Sequence, residues 1–143
     1  GVVEYKDYKW DFSFKYPEDY FVVAMNDLDG SGRKGLIVTS QKGRLFLSSG
    51  GPAKPTAGQF VSGAEMRIEK LDNETILLDS TGDSKQKIIK TNNPLVVEFE
   101  DPCDGAGCPD KKYIITTKAG GYLASIWLSK DSDMEAILQT ITE

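Results

Sequence analysis

Apolar and polar residues alternate in several segments of the chain with the two-residue period of a half-buried β-strand. The clearest runs are Phe12 to Tyr16, which ends at Pro17, and Pro94 to Glu100. Three further runs are joined by turns that are too short for parallel crossovers, so the pattern predicts an antiparallel meander. These runs are Tyr20 to Met25, Leu36 to Ser40 and Arg44 to Ser49.

The second half of the chain contains one clear hairpin and two segments that are harder to interpret. Tyr113 to Lys118 and Tyr122 to Ser129 alternate on either side of Gly120-Gly121, which predicts two paired strands. Ala64 to Glu69 favours a strand, although a short helix fits almost as well. We interpret Asn73 to Ser80 as one or two helical turns that pack on the sheet.

The end of the chain changes to a helical period. Ser132 and Glu135 match a capping box, and four apolar residues recur at helical spacing. These are Met134, Ile137, Leu138 and Ile141. The sequence therefore predicts an α+β fold in a single domain over residues 1–143. We expect an antiparallel β-sheet flanked by helices, with a C-terminal amphipathic helix from about Ser132 to Thr142 packed on the sheet.

Charge and composition exclude several classes of function. The 143 residues carry 17 Lys and Arg against 22 Asp and Glu, a net charge of −5. No local basic stripe offsets this charge, so we predict no nucleic-acid binding. The chain has no His, which removes the most common general base and the His-activated nucleophiles. We predict that the protein is not an enzyme and nominate no catalytic residue; a hydrolase of unknown substrate is an alternative.

Cys103 and Cys108 are the only two cysteines. Glycine and proline residues between and beside them allow the turn that a disulfide needs, and two thiols cannot complete a four-ligand metal site. We favour a Cys103–Cys108 disulfide, which implies an oxidising compartment. The alternative is a pair of reduced thiols in a cytosolic loop.

Two acidic segments are candidate cation sites. Asp27, Asp29 and Ser31 alternate before glycine as in a calcium loop, but Val38 stands where an EF-hand supplies its bidentate Glu. A weak calcium-binding domain that uses the Asp27 to Ser31 loop is therefore an alternative function, and an ordinary β-turn explains the same residues. No other cofactor is expected.

The second acidic segment surrounds the cysteines. It suits a cation or a basic partner, although a solvated loop is the simpler interpretation. Its acidic residues are Glu98, Glu100, Asp101, Asp104 and Asp110.

The start of the chain bears on localisation. Gly1 replaces an initiator Met and no signal sequence follows, so we expect an upstream signal peptide or lipid-anchor linker. No run approaches the roughly 18 apolar residues of a transmembrane helix, and we expect no membrane insertion by this segment. Together with the expected disulfide, this predicts an extracytoplasmic protein, periplasmic or at the cell surface, with a possible lipid anchor.

The segment from Asp11 to Tyr20, which contains Phe-Ser-Phe-Lys-Tyr-Pro, resembles the start of the PsbP-like family. The stretch from Ala136 to Ile141 is similar to the end of the final helix in that family. The resemblance covers both ends of the chain well and the middle poorly. It implies an antiparallel sheet flanked by helices in extracytoplasmic proteins, among them bacterial lipoproteins, that are mostly non-catalytic.

These features together predict a non-catalytic extracytoplasmic binding or assembly domain that contacts a protein partner through its loops or an exposed sheet face. Recognition residues are commonly carried on loops held by a rigid sheet. We therefore expect the contact surfaces to be the loops from Gly50 to Gly63 and from Asp101 to Asp110.

Overall fold

A computed structural model describes residues 1–25, 34–51, 59–61, 66–71, 74–78, 85–99, 108–109, 111–118, 121–127 and 133–143. Within these residues the chain forms twelve strands and the helix α1, Asp133–Gln139. The strands are β1 Val2–Tyr5, β2 Phe14–Pro17, β3 Phe21–Met25, β4 Gly35–Ser40, β5 Gly43–Gly51, β6 Gln59–Val61, β7 Met66–Leu71, β8 Glu74–Leu78, β9 Lys85–Lys90, β10 Val96–Phe99, β11 Lys111–Thr116 and β12 Gly121–Trp127.

Two antiparallel sheets contain all of these strands. β1 and β2 form a two-stranded sheet, and the other ten form one sheet in the order β3-β4-β5-β12-β11-β10-β9-β8-β7-β6. Almost every neighbour in the large sheet is also a neighbour in sequence. The exception is the pair β5 and β12, whose register aligns Leu47 with Ala124 and Leu45 with Ile126. This single non-local pair joins the two meanders into one sheet.

The prediction of an α+β fold with helices flanking the sheet is wrong. The described residues are mostly antiparallel strands in two sheets, and α1 has seven residues. α1 lies inside the predicted span from Ser132 to Thr142. It ends at Gln139 because Thr140 and Ile141 donate backbone hydrogen bonds to carbonyls only three residues earlier, which tightens the last turn and ends the helix. One short helix covers part of one face rather than forming a layer.

The segment from Asn73 to Ser80 explains most of this error. The structure forms strand β8 here, with Ile76 opposite Glu69 of β7 and opposite Lys87 of β9. Thr75 and Ile76 are β-branched and favour extended backbone. Pairing on both sides also satisfies the backbone of a run that is too short for a stable helix, so the tertiary context decides the conformation.

The main hydrophobic core lies between the large sheet and α1. Met134, Ile137 and Leu138 of α1 are buried, and Ile141 is buried just beyond it. They pack on sheet side chains that alternate along β4, β5, β10, β11 and β12. These are Leu36, Val38, Leu45, Leu47, Val96, Tyr113, Ile115, Tyr122, Ala124 and Ile126. We call this side of the sheet the helix-covered face.

Aromatic residues from the N-terminal segment complete this core. Phe12 and Trp10 both pack against the Tyr122 ring. Their ring centroids lie 4.8 and 5.4 Å, respectively, from the centroid of that ring. Phe14 of β2 is fully buried beside them. The backbones of Ser13 and Thr142 exchange hydrogen bonds, so the start and the end of the chain are held together over the same core.

The opposite face of the large sheet has a smaller cluster. Ile88, Phe99 and Ile114 are buried there, with Val97 and Leu123 packed against them. Ile114 lies between Tyr113 and Ile115, which face the main core, so β11 is buried on both sides. This is why its six residues carry no simple alternation of burial.

Candidate functional site

The residues predicted for calcium binding lie outside the described part of the chain. Asp27, Asp29 and Ser31 fall between the end of β3 and the start of β4. Among the residues that the structure describes, no group of three or more Asp, Glu or Cys side chains is arranged to hold a metal ion. The calcium site therefore stays a prediction.

The predicted disulfide is described at one end only. Cys108 lies in the described residues and is not a free thiol, whereas Cys103 lies outside them. The pairing of Cys103 with Cys108 stays a prediction. The predicted contact loops are also largely outside the described residues, although β6 places Gln59 to Val61 of the first loop in a strand.

A cavity of about 490 Å³ lies between α1 and the neighbouring strands β9, β10 and β11. It is open to solvent, and its lining mixes polar and charged groups with apolar surface, unlike the enclosed and mostly apolar sites that small molecules usually occupy. The side chains and backbone that line it are Lys90, Thr91, Asn92, Glu98, Lys111, Tyr113, Glu135, Ala136 and Gln139. It brings carboxylate, ammonium, phenol and amide groups together and is therefore a candidate site.

Glu135 of α1 links the helix to β11 across this cavity. Its Oε1 accepts hydrogen bonds from the Lys111 ammonium and, at 3.1 Å, from the Tyr113 hydroxyl. Residues 111 and 113 lie on the same side of β11 because strand side chains alternate. Two side chains on one face of β11 therefore donate to the same carboxylate oxygen of a residue on α1.

The electrostatics of this trio favour an ion pair over acid–base chemistry. The hydrogen bond from Lys111 lowers the pKa of Glu135, and the same bond raises the pKa of Lys111. Burial, followed by the charge of Glu135, raises the pKa of Tyr113. At neutral pH these shifts keep Glu135 as a carboxylate, Lys111 as an ammonium and Tyr113 as a neutral phenol. A general acid or base instead needs a pKa near the working pH.

Sequence reasoning assigned Glu135 to a capping box with Ser132 and missed its contacts with Lys111 and Tyr113. Ser132 lies outside the described residues. The missed contacts depend on where β11 lies under α1, and Lys111 is 24 residues from Glu135 in sequence. Periodicity reports which face of an element is apolar and carries no information on which strand lies beneath a helix.

A second candidate surface is the free edge of the large sheet at β3. β3 is the first strand of the sheet order and, among described strands, pairs only with β4. Val22 packs against the main core, so Phe21 and Val23 point to the opposite face. Their side chains are 71% and 49% exposed. The strand Phe21–Met25 has no charged residue and no proline, which are two of the features that protect sheet edges.

In the described part of the chain, no helix has the length and apolar character needed to cross a membrane. Comparison of the chain with protein-family models, with curated proteins and with solved structures gives no match. The resemblance of both chain ends to the PsbP-like family therefore stays a prediction from the sequence.

Proposed function

We propose that this protein is a non-catalytic binding or assembly domain that contacts a protein partner through the edge of strand β3. One observation carries the proposal: β3 ends the large sheet as an uncharged strand with Phe21 and Val23 exposed. An edge strand presents a row of unpaired backbone N–H and C=O groups to its open side. An extended segment of another protein can satisfy these groups by adding a strand to the sheet.

The side chains at this edge add apolar contact to the backbone pairing. Val23 lies beside Ile37 of β4, which in turn lies beside Phe46 of β5, so three apolar residues form a row on the opposite face. Ile37 and Phe46 are partly exposed, as is Val23. A partner strand beside β3 would place one more residue in this row and cover the outer side of Val23. An apolar partner residue at that position gains contact with Val23, so the row favours an apolar segment.

We also propose that the domain works outside the cytoplasm. Cys108 is not a free thiol, and persistent disulfides are typical of oxidising compartments. The PsbP-like resemblance of the chain ends supports the same location. An upstream lipid anchor is compatible with this proposal, because the sheet edge needs no membrane contact to bind a partner.

Differential capture from a native envelope fraction tests the proposed surface. The parent protein, Val23→Lys and Val3→Lys serve as baits. Val3 is a partly exposed valine of β1, so Val3→Lys is a matched control for the added charge. We expect the parent and the control to retain the same partner, and Val23→Lys to lose it, because a lysine at a strand edge opposes pairing.

Backbone hydrogen exchange then separates strand addition from other contacts. In the complex, amides of β3 should exchange more slowly than in the isolated protein, whereas amides of β1 should be unchanged. Retention of the partner by a folded Val23→Lys protein would refute the proposed edge. A substrate turned over by the purified protein would refute the non-catalytic assignment.

A further inference from the structure

The start of β3 carries two acidic side chains just before the apolar strand. Glu18 and Asp19 form the turn between Pro17 and Tyr20, and both are exposed. The Glu18 carboxylate lies 3.1 Å from the backbone nitrogen of Gly1. Asp19 makes no ion pair or side-chain hydrogen bond with the described residues. The sheet edge therefore has an uncharged centre and an acidic end.

We propose that the segment that adds to β3 runs antiparallel to it and is followed, at its own C-terminal end, by lysine or arginine. This inference rests on the proposed function of the β3 edge and names the chemistry of its partner. All strand pairs of the described sheets are antiparallel. An antiparallel addition brings the C-terminal end of the partner segment beside the N-terminal end of β3, where Asp19 lies.

Charge decides against a second copy of this chain as the occupant. Antiparallel self-pairing would bring two copies of the same acidic chain together along this edge. The net charge of −5 adds repulsion between whole copies. A basic partner is instead attracted by the same charges, which raises the association rate and selects the register.

The apolar centre sets the rest of the partner's pattern. Phe21, Val23 and Met25 alternate on the opposite face, and Val22 faces the main core. Cross-strand pairs form between side chains on the same face. A partner segment of about five residues that places β-branched or aromatic side chains on that face matches β3, and lysine or arginine follows that segment.

Three synthetic peptides test direction and charge. Each alternates valine with threonine over the length of β3; one ends in two lysines, one begins with two lysines, and one ends in two glutamates. Affinity is measured by fluorescence anisotropy at low salt. We expect the peptide with C-terminal lysines to bind about fivefold to tenfold more tightly than the peptide with C-terminal glutamates, because two exposed charge pairs change from attraction to repulsion. This ratio should fall as salt is added.

Asp19→Asn and Glu4→Gln form the matched variant pair. Both remove one exposed acidic charge, and Glu4 lies in β1. Asp19→Asn should reduce the preference for C-terminal lysines at least twofold, whereas Glu4→Gln should leave it unchanged. Neither variant should change the melting temperature by a measurable amount, because both side chains are exposed.

The possible outcomes separate this inference from the proposed function. Equal binding of all three peptides, lost in Val23→Lys, would keep the β3 edge as the binding surface and overturn the charge inference. Tightest binding of the peptide with N-terminal lysines would overturn the antiparallel direction. Concentration-dependent dimerisation that Val23→Lys abolishes would identify a second copy as the occupant. No binding by any peptide up to about 1 mM would overturn both the inference and the proposed edge.

Discussion

The side-chain amide of Asn93 donates a hydrogen bond to the backbone carbonyl of Ile141 at 2.9 Å, and the same nitrogen lies 3.1 Å from the carbonyl of Gln139. The last carbonyls of a helix have no partner within the helix. Asn93, in the β9–β10 turn, supplies that partner from another part of the chain, while its Oδ1 accepts a hydrogen bond from the backbone N–H of Leu95 at 3.0 Å. One buried amide therefore holds the turn and the end of α1 together.

Removal of this amide should destabilise the fold strongly. We expect Asn93→Ala to lower the free energy of unfolding by about 2–3 kcal/mol, because buried carbonyls lose their donor. Asn93→Asp should cost more at neutral pH, since a carboxylate would then face carbonyl oxygens. Urea denaturation measures both effects. The neighbouring Asn92 is exposed, so Asn92→Ala is the control, and equal stability of the two alanine variants would contradict the anchoring role.

The ion pair of Glu135 with Lys111 should make a small, pH-dependent contribution. The pKa of Glu135 is lowered from 4.5, so its stabilisation is complete above that value and is lost as the pH falls through the lower folded-state pKa. The two side chains are 37% and 45% exposed, and solvent screening limits the gain to about 1 kcal/mol or less.

Glu135→Gln tests this contribution. Near pH 7 it should lower the free energy of unfolding by up to about 1 kcal/mol, and the difference from the parent should shrink as the pH falls below 4.5, because the parent carboxyl binds a proton over that range. Glu4→Gln is the control over the same pH range. A difference that persists undiminished near pH 3 would mean that Glu135 acts through packing rather than charge.

The same substitution at two neighbouring positions of α1 should have a large effect on stability at one and a small effect at the other. Ile137 is 3% exposed and packs in the main core, so Ile137→Asp buries an unpaired charge and should unfold the domain or reduce its stability by several kcal/mol. Ala136 is exposed, and Ala136→Asp should change stability by less than about 0.5 kcal/mol. Circular dichroism and thermal melting distinguish the two. Similar melting of both variants would show that α1 does not pack as described.

Alkylation and mass spectrometry test the predicted pairing of the two cysteines. In protein unfolded under non-reducing conditions, we expect neither Cys103 nor Cys108 to react with an alkylating reagent, and mass spectrometry should show both labelled only after reduction. The short loop between them implies less stabilisation than the about 3 kcal/mol of a 15-residue loop. Labelling of both residues before reduction would remove the disulfide and weaken the extracytoplasmic proposal.

Calcium binding should appear as a concentration-dependent rise in melting temperature, because a ligand that binds only the native state stabilises it. Asp29→Ala should abolish the rise, whereas Asp19→Ala should preserve it. The absence of any shift at millimolar calcium would leave Asp27 and Asp29 as residues of a turn.

The sequence predicted strands best where alternation and turns agree. Leu36 to Ser40 lies within β4 and Arg44 to Ser49 lies within β5, because each has one face on the main core. It failed at Asn73 to Ser80, where pairing on both sides overrides a helical interpretation. The contacts of Asn93 and Glu135 were also missed. Both depend on the position of α1 over strands distant in sequence, which local patterns do not encode.

The joining of β5 to β12 has a consequence for synthesis on the ribosome. β3, β4 and β5 are consecutive and can pair as soon as they emerge. β5 then remains without its second neighbour until nearly the whole chain has been translated, because β12 is the last of the described strands. Since translation adds about 5–20 residues per second, the β5 edge stays open for seconds during each round of synthesis. The nascent chain is therefore most exposed to strand-mediated misassembly before its final hairpin is complete.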